Sequence, residues 1–282
     1  MNEYGKLRIC ATPIGNLKDI TYRVVETLKE VDLIAAEDTR HTLKILNHYD
    51  IRKPLISYHE HNKAKIGLKL IEKLKAGVNI ALVSDAGMPG ISDPGEDLIR
   101  LAIENNIQVD ALPGASASIL ALVLSGFSTK KFVFEGFLPS AKKERKRGLE
   151  KLKTEYRTII LYEAPHRLLD LLQDISNVLG NKNIAIAREL TKKYQEICRG
   201  TVLEIIEIFA NKSIKGEFVV VVEGVSEDEI AAFDKQLWDD MDVKEHLRLY
   251  IQKGFTKKEA IKKVSKERKI PKNIIYKESI DL

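Results

Sequence analysis

Residues 79–106 read NIALVSDAGMPGISDPGEDLIRLAIENN. An apolar run, NIALVSD, passes through a loop into EDLIRLAIENN, which has the look of a helix. Strand, loop and helix in that order form the repeating unit of a parallel α/β sheet. The loop itself is out of proportion. A connection of this kind needs roughly two to six residues, yet SDAGMPGISDPG has three glycines, two prolines and two aspartates in twelve positions. Open α/β sheets bind ligands outside the carboxyl ends of their strands, so a loop of this make-up at that edge raises the question of what it holds.

Working outward, the same alternation recurs. LRICAT (7–12), DLIAAE (32–37), PLISYH (54–59) and IQVDALPG (107–114) read as further strands. DITYRVVETLKEV (19–31), TRHTLKILNHY (39–49), NKAKIGLKLIEKLKAG (62–77) and the small-residue segment ASASILALVLSG (115–126) read as helices between and after them. This predicts a parallel, doubly wound sheet over the first 126 residues. After Gly126 the pattern restarts. KFVFEGFLP (131–139), RTIILYEAP (157–165), NIAIAREL (183–190) and GEFVVVVEG (216–224) read as strands, HRLLDLLQDISNVLG (166–180) as a helix, and CRGTVLEIIEIFANK as holding one more helix. A second α/β domain with mixed strand pairing is expected there. The last forty residues read helix, Gly254, helix, Pro271, helix, in the manner of a helix-turn-helix module.

The chain of 282 residues carries a net charge of +5, unevenly spread. Residues 227–242 hold seven acids and one lysine, and residues 243–282 hold twelve Lys and Arg against five acids. A second basic block, AKKERKRGLEKLK, spans 141–153. Basic clusters of this kind suit phosphates, although each alone is equally a solvated lysine-rich surface. No run of eighteen apolar residues occurs, so no membrane span is expected. The N-terminus has no apolar segment of secretory type, and a cytoplasmic protein is expected. Cys10 and Cys198 form no CxxC pattern and read as free thiols.

Neither GxxxxGK[ST] nor a GxGxxG after the first strand is present, which argues against a P-loop nucleotidase and an ordinary dinucleotide site. Three loops do fall on one sheet edge: ATPIGNLKDIT after the first strand, SDAGMPGISDPG after the fourth, PGASAS after the fifth. Their glycines allow close backbone approach and their scarcity of cations suits a cationic or zwitterionic cofactor with an adenosine part. Asp85 could accept from an amino or hydroxyl group, or simply close an Asx turn. HEH at 59–61 lacks the further ligands that a zinc site needs, so no metal is expected, and phosphate contact or a structural role is the reading for His59 and His61. EDTRHT (37–42), YEAPHR (162–167) and ARE (187–189) bring Arg40, Glu163, His166, Arg167, Arg188 and Glu189 to strand ends, where they line a cleft between domains or pair with one another across it.

Taken in order and spacing, ATPIGNLKDIT, AAEDTRHT, YHEHN, SDAGMPGISDPG, LPGASA, FEGFLP, YEAPHR, ARELTK and GEFVVVVEG closely resemble the ribosomal RNA small-subunit methyltransferase I family, within the tetrapyrrole methylase (class III) superfamily. The resemblance runs over about residues 5–225, and the lysine-rich tail also looks like the family's. It implies two α/β domains of tetrapyrrole-methylase type, an N-terminal parallel doubly wound sheet (1–126) and a second, mixed sheet completing a cleft (127–225); residues 226–282 read as an acidic linker and a basic helical appendage that either faces RNA or packs as a cap on the body or on a partner subunit. It implies S-adenosylmethionine as cofactor, a homodimer, and 2′-O-methylation of a cytidine ribose in the decoding centre of 16S rRNA, within the small ribosomal subunit. Carried onto this chain, it assigns cofactor contacts to Pro13, Ile14, Asp85, Gly87, Met88, Ile91, Ser116, Ala117, Tyr162, Gly216, Glu217 and Phe218.

A ribose hydroxyl is a poor nucleophile and must lose its proton. Glu163 and His166 are the leading candidate bases, followed by Glu37 and Glu189. No Lys-Asp-Lys-Glu tetrad is evident. Arg40, His59, His61, Arg167 and Arg188, with Lys142, Lys143 and Arg145 of the basic block and Lys257, Lys258, Lys262 and Lys263 of the tail, are the candidate RNA contacts. Two other readings compete: a same-fold methylase of a tetrapyrrole or other small substrate, and an RNA-binding protein without catalysis, for which three small-residue loops on one edge would serve no purpose.

Overall fold

The computed structural model describes residues 4–210, 212–226 and 241–279, in two compact units, residues 1–224 and 225–282. The first unit holds two five-stranded sheets. Strands β1 (Leu7–Cys10), β2 (Leu33–Ala36), β3 (Leu55–Ser57), β4 (Ile80–Val83) and β5 (Val109–Leu112) run parallel in the order β3-β2-β4-β1-β5. Helices α1 (Tyr22–Glu30) and α2 (Thr39–His48) cover one face, and α3 (Lys63–Lys75) and α4 (Glu96–Glu104) cover the other.

Side-chain alternation explains why the short strands can be apolar throughout. In β4, Ile80 and Leu82 pack with Leu70 and Leu74 of α3 and Leu98 of α4, whereas Ala81 and Val83 pack with Val24 and Leu28 of α1. A parallel sheet buried on both faces needs such continuous runs. The helices start where the sequence offers caps. Thr21 Oγ1 accepts the Val24 N–H at 3.3 Å to begin α1, and the Asp38 carboxylate accepts the Arg40 N–H at 2.8 Å to begin α2, each satisfying a donor that a helix N-terminus leaves unpaired. Cys10 is buried and its thiol is pushed up to about 12 by burial.

The second sheet orders β6 (Phe132–Phe137), β7 (Thr158–Glu163), β10 (Phe218–Val222), β8 (Asn183–Arg188) and β9 (Glu196–Thr201) as β6-β7-β10-β8-β9. Only β6 and β7 pair in parallel; β7-β10, β10-β8 and β8-β9 are antiparallel. Strand β9 departs from the sequence reading, which expected only a helix in this stretch. The chain forms an edge strand first, and α8 (Val202–Ala210) follows. EICRGT carries no apolar alternation, because an edge strand is held by backbone pairing to β8 rather than by a buried face.

One face of this sheet packs against α6 (Lys142–Lys151), α7 (Leu168–Leu179) and α8. Its other face is covered by α5 (Ala117–Ser125), the helix that leaves β5 of the first sheet. Ala121 and Leu122 of α5 sit with Ile160, Ala185, Ala187, Val219 and Val221. Small residues on both sides let helix and sheet approach closely, so α5 fastens one sheet to the other. The junction of β5 and α5 is thereby held against the second sheet.

The basic block also departs from expectation at one position. Lys142 and Lys143 are exposed, but Arg145 is 3 % exposed. Its guanidinium meets Asp174 of α7, with Nε at 2.9 Å and Nη2 at 2.8 Å from Oδ2, and Nη1 donates to the Ser140 carbonyl. Arg145 lies one turn before the buried Leu149, which puts it on the inner face of α6, where it cannot reach RNA.

The described residues of the second unit form three helices, α9 (Val243–Gln252), α10 (Lys257–Glu267) and α11 (Lys272–Glu278). Reciprocal capping boxes start the first two, from Asp242 with Glu245 and from Thr256 with Glu259. Leu247, Ala260, Ile261, Val264 and Ile275 form its core. The acidic run before it lies, as far as residue 240, outside the described residues. No described helix is long and apolar enough to cross a membrane.

Removing one partner of a buried ion pair leaves the other charge uncompensated, at a cost of about 3–5 kcal/mol. Asp174→Ala is expected to destabilise the protein by that amount in denaturant unfolding. Lys142→Ala, on the exposed face of the same helix, is expected to change stability by less than about 0.5 kcal/mol.

Candidate active site

The loops after β1 and β4 are joined by a two-way backbone exchange. Thr12 N–H donates to the Gly87 carbonyl at 2.8 Å, and Gly87 N–H returns to the Thr12 carbonyl at 3.0 Å. Thr12 Oγ1 adds a bond to the Ser84 carbonyl at 3.0 Å. Gly87 makes this exchange at φ +81°, a conformation that disfavours any residue with a Cβ. The strand order places β1 between β4 and β5, so the β5 loop with Ser116 and Ala117 lies alongside. Three loops thus build one wall.

The second sheet supplies the other wall. A cleft of about 320 Å³ opens between them. The first sheet's loops line it with Ile14, Ala86, Gly87, Met88, Ile91, Ser92, Asp93, Ser116 and Ala117. The second sheet's side consists of Phe137, Tyr162, Glu163, Ala164, Pro165 and the 216–219 segment. Tyr162 crosses the gap, its hydroxyl accepting the Ser118 N–H of α5 at 3.2 Å. The ring is wedged edge-on against Phe134 and Phe137, and burial raises its phenol pKa.

The 216–217 strap is fixed by Glu189. Glu189 Oε1 accepts the Glu217 N–H at 3.0 Å and the Lys192 ammonium at 3.0 Å, while Glu189 N–H donates to the Glu217 carbonyl. Gly216 has φ +98°, and a Cβ there would lie 2.6 Å from Glu189 Cγ, so only glycine fits. Burial raises the Glu189 pKa, but the Glu217 amide and Lys192 outweigh it and hold the carboxylate below its usual range.

The charged residues among those lining the cleft are Asp93, Glu163 and Glu217, all carboxylates. Glu163 is 2 % exposed. Its Oε1 accepts the Ala164 N–H at 2.9 Å and pairs with Arg167 Nε at 3.1 Å, whereas its Oε2 is buried without a hydrogen-bond partner. Burial pushes its pKa up against the pull of Ala164 and Arg167. Asp93 is pushed up to about 7, first by burial and then by the Glu37 carboxylate, with the Ser84 hydroxyl acting the other way. An orphaned buried oxygen and an all-acid lining leave room, in both shape and charge, for a cationic guest that donates hydrogen bonds.

Ten of the twelve expected cofactor contacts therefore lie on the cleft; Pro13 and Asp85 lie outside the lining. Asp85 braces the adjoining loop instead, its Oδ1 accepting the Asp38 N–H at 3.0 Å. Of the base candidates, Glu163 alone lines the cleft. His166 is exposed, Glu189 is engaged with the strap, and Glu37 Oε2 receives the Asp85 N–H at 3.4 Å with its pKa raised by burial. Arg167 is drawn inward, Nη2 donating to the Leu138 and Pro139 carbonyls. Arg188 donates from Nε to the Lys215 carbonyl beside the strap.

Arg40 is exposed and pairs with Asp38, whose carboxyl it holds well below the usual range. His61 is exposed; His59 is half-buried, its ring 5.9 Å from that of His61. No metal-binding group of three or more His, Cys, Asp or Glu occurs among the described residues. The sequence reading missed Asp93 and Phe137. FEGFLP offered a signal for Phe137, but the carboxylate that acts most on Asp93, Glu37, comes from another strand end.

An acid whose native pKa exceeds its unfolded value favours the native state when protonated, and that advantage disappears as the pH rises from about 4 to about 7. Thermal melts of the wild type and Asp93→Asn are expected to diverge in favour of Asn across that interval and to stay parallel above it. A pH-independent difference would contradict the burial of this carboxyl.

The family model for tetrapyrrole (corrin/porphyrin) methylases matches residues 6–206. The ribosomal RNA small subunit methyltransferase I of Bacillus subtilis (strain 168) is 50% identical over 275 residues, covering 98% of this chain and 94% of that one. Among solved structures, a cobalt precorrin-4 methyltransferase superposes with a TM-score of 0.59 at 14% identity, over 77% of this chain and 94% of that one. A uroporphyrin-III C-methyltransferase from Thermus thermophilus, complexed with S-adenosylhomocysteine, gives 0.55 at 13% identity, over 81% and 100%. With the two sheets, the glycine-rich strand-end loops and the cleft between them, these likenesses make the chain a member of the tetrapyrrole methylase family and, within it, of the ribosomal RNA small-subunit methyltransferase I group.

Proposed function

We propose that this chain transfers a methyl group from S-adenosylmethionine to the 2′-oxygen of a cytidine ribose in the decoding centre of 16S rRNA. The observation that carries the reading is the all-carboxylate charged lining of the cleft, together with the buried, unpartnered Oε2 of Glu163, one of the lining residues. When bound, S-adenosylmethionine supplies a methyl group on a positively charged sulfur. Asp93, Glu163 and Glu217 oppose that charge and an ammonium group, whereas a polyphosphate would be repelled. The same acids disfavour a carboxylate-bearing tetrapyrrole. They tolerate an uncharged nucleoside whose phosphates stay outside, near Arg40, Lys142 and Lys143, which are exposed.

The backbone of Gly87 and the small side chains of Ser116 and Ala117 allow close approach, so positioning supplies much of the catalysis. Phe137, which is exposed, and the half-buried Tyr162 offer aromatic faces to a guest in the cleft. Glu163 accepts the ribose proton at Oε2. Its raised pKa suits that task, because a base works best when its pKa approaches the working pH. Arg167 holds Oε1 and so fixes which oxygen faces the substrate. A homodimer and a cytoplasmic location belong to the same reading. Ile119 and Val123, 45 % and 64 % exposed on α5, offer an apolar surface for a second copy.

Labelled methyl transfer to assembled 30S subunits, free rRNA and a tetrapyrrole in parallel tests the reaction. The expected product is 2′-O-methylcytidine in rRNA; label on a nucleobase, or on the tetrapyrrole alone, overturns the reading. Glu163→Gln is expected to slow transfer by about 10²–10⁴-fold, a larger effect than its weakening of cofactor binding, and His166→Ala to leave the rate near that of the wild type.

A further inference from the structure

Within the second unit, helices α10 and α11 present matching rows to a shared groove. From α10 come Lys257, Lys258, Ile261 and Lys262, and from α11 Lys272, Asn273, Tyr276 and Lys277. Each row follows the spacing i, i+1, i+4, i+5, which keeps its members on one helix face. Five ammonium groups therefore surround the groove, and no acid is among its lining residues. None of the five forms an ion pair among the described residues. The neighbouring face of α10 differs: Glu259 and Glu267 accompany Lys262, Lys263 and Lys266 there, and the Lys263 ammonium lies 4.8 Å from the Phe255 ring centre. Of these two grooves, the one between α10 and α11 is thus lined by cations with no acid among them.

The floor of the groove is apolar. Ile261 is buried in the helical core, and Tyr276 stands 61 % exposed beside it. Five like charges in one groove repel one another, and a polyanion with regularly spaced charges relieves that repulsion. A protein partner would have to bring a matching set of carboxylates. An exposed aromatic face amid those charges suits an unstacked base, since stacking on an aromatic ring together with cationic contacts to the backbone is how single strands are bound. A duplex would present its phosphates but keep its bases away from the ring.

We propose that the α10–α11 groove binds a single-stranded segment of RNA, with phosphates on the lysine rows and one base stacked on Tyr276. This rests on the reading of the chain as an rRNA-modifying enzyme, and it adds a second RNA contact, separate from the cleft and independent of the cofactor.

The test uses the full-length protein and fluorescence anisotropy with a labelled, unstructured RNA oligonucleotide and a duplex of equal length, over a range of salt concentrations. Tyr276→Ala is expected to weaken single-strand binding by about thirtyfold, the middle of the range for one stacked base. The triple change Lys258→Gln, Lys262→Gln, Lys272→Gln is expected to lower the slope of log affinity against log salt by about 2, at about 0.7 per phosphate contact. Both variants alter exposed side chains, so helix content and cofactor titration are expected to match the wild type. The inference is overturned if both variants bind the single strand as the wild type does, or if the duplex binds equally and Tyr276→Ala changes nothing. It is also overturned if the variants lose affinity only for assembled 30S subunits, which would place a ribosomal protein in the groove. Methyl transfer by the wild type separates the two readings. Transfer to rRNA with unaltered RNA binding by the variants sinks the groove alone; no transfer, with RNA binding lost in the variants, sinks the proposed reaction alone.

Discussion

The exchange of backbone hydrogen bonds between Thr12 and Gly87 is the constraint on which the site depends. It joins the strand-end loops of β1 and β4, and it requires Gly87 at positive φ. Each loop alone is a long connection with many conformations. Bound to each other and to the Ser84 carbonyl through Thr12 Oγ1, they become a rigid wall. The opposite wall gains its position from α5, which starts beside the first sheet's loops and packs on the second sheet. The cleft is therefore set by two fixed surfaces rather than by a movable interface.

Charge is divided in a way that suits two different guests. Carboxylates face the cleft, while most of the lysines stand where solvent reaches them. Several arginines, at strand ends and in the basic block, were expected to meet RNA, but the fold engages them otherwise. Arg145 neutralises Asp174 in the core of the second sheet's helical layer, Arg167 ties Glu163 to the β6–α6 connection, and Arg188 secures the strap. Arginine fits such posts because its planar fork reaches several acceptors from one position. The lysines, with their flexible and strongly hydrated ammonium groups, remain outside.

Much of this was legible in the sequence for a physical reason. Glycine, proline and small residues are costly in regular structure, so a loop that concentrates them after an apolar strand announces a backbone requirement. SDAGMPGISDPG, ATPIGN and PGASAS all did so, and the strand alternation put them on one edge. What stayed hidden depends on partners distant in the chain. Asp93 differs from any turn-forming aspartate because the fold buries it and brings Glu37, from another strand end, near it. Arg145 sits in a run of cations, and nothing in the run says which of them turns inward. Its spacing of four from Leu149 was the one available clue. Strand β9 escaped notice because backbone pairing, not side-chain burial, makes it a strand.

The central claim is that the three strand-end loops form the wall of an S-adenosylmethionine site. Calorimetric titration of the cofactor into the wild type and Ala117→Leu tests it most directly, since Ala117 lines the cleft and a larger side chain would occupy the cofactor's space. The expected result is one site per chain in the wild type and binding weakened by at least about tenfold in the variant, the equivalent of about 1.4 kcal/mol of overpacking. No heat from the wild type, or equal affinity in a folded variant, would contradict the account.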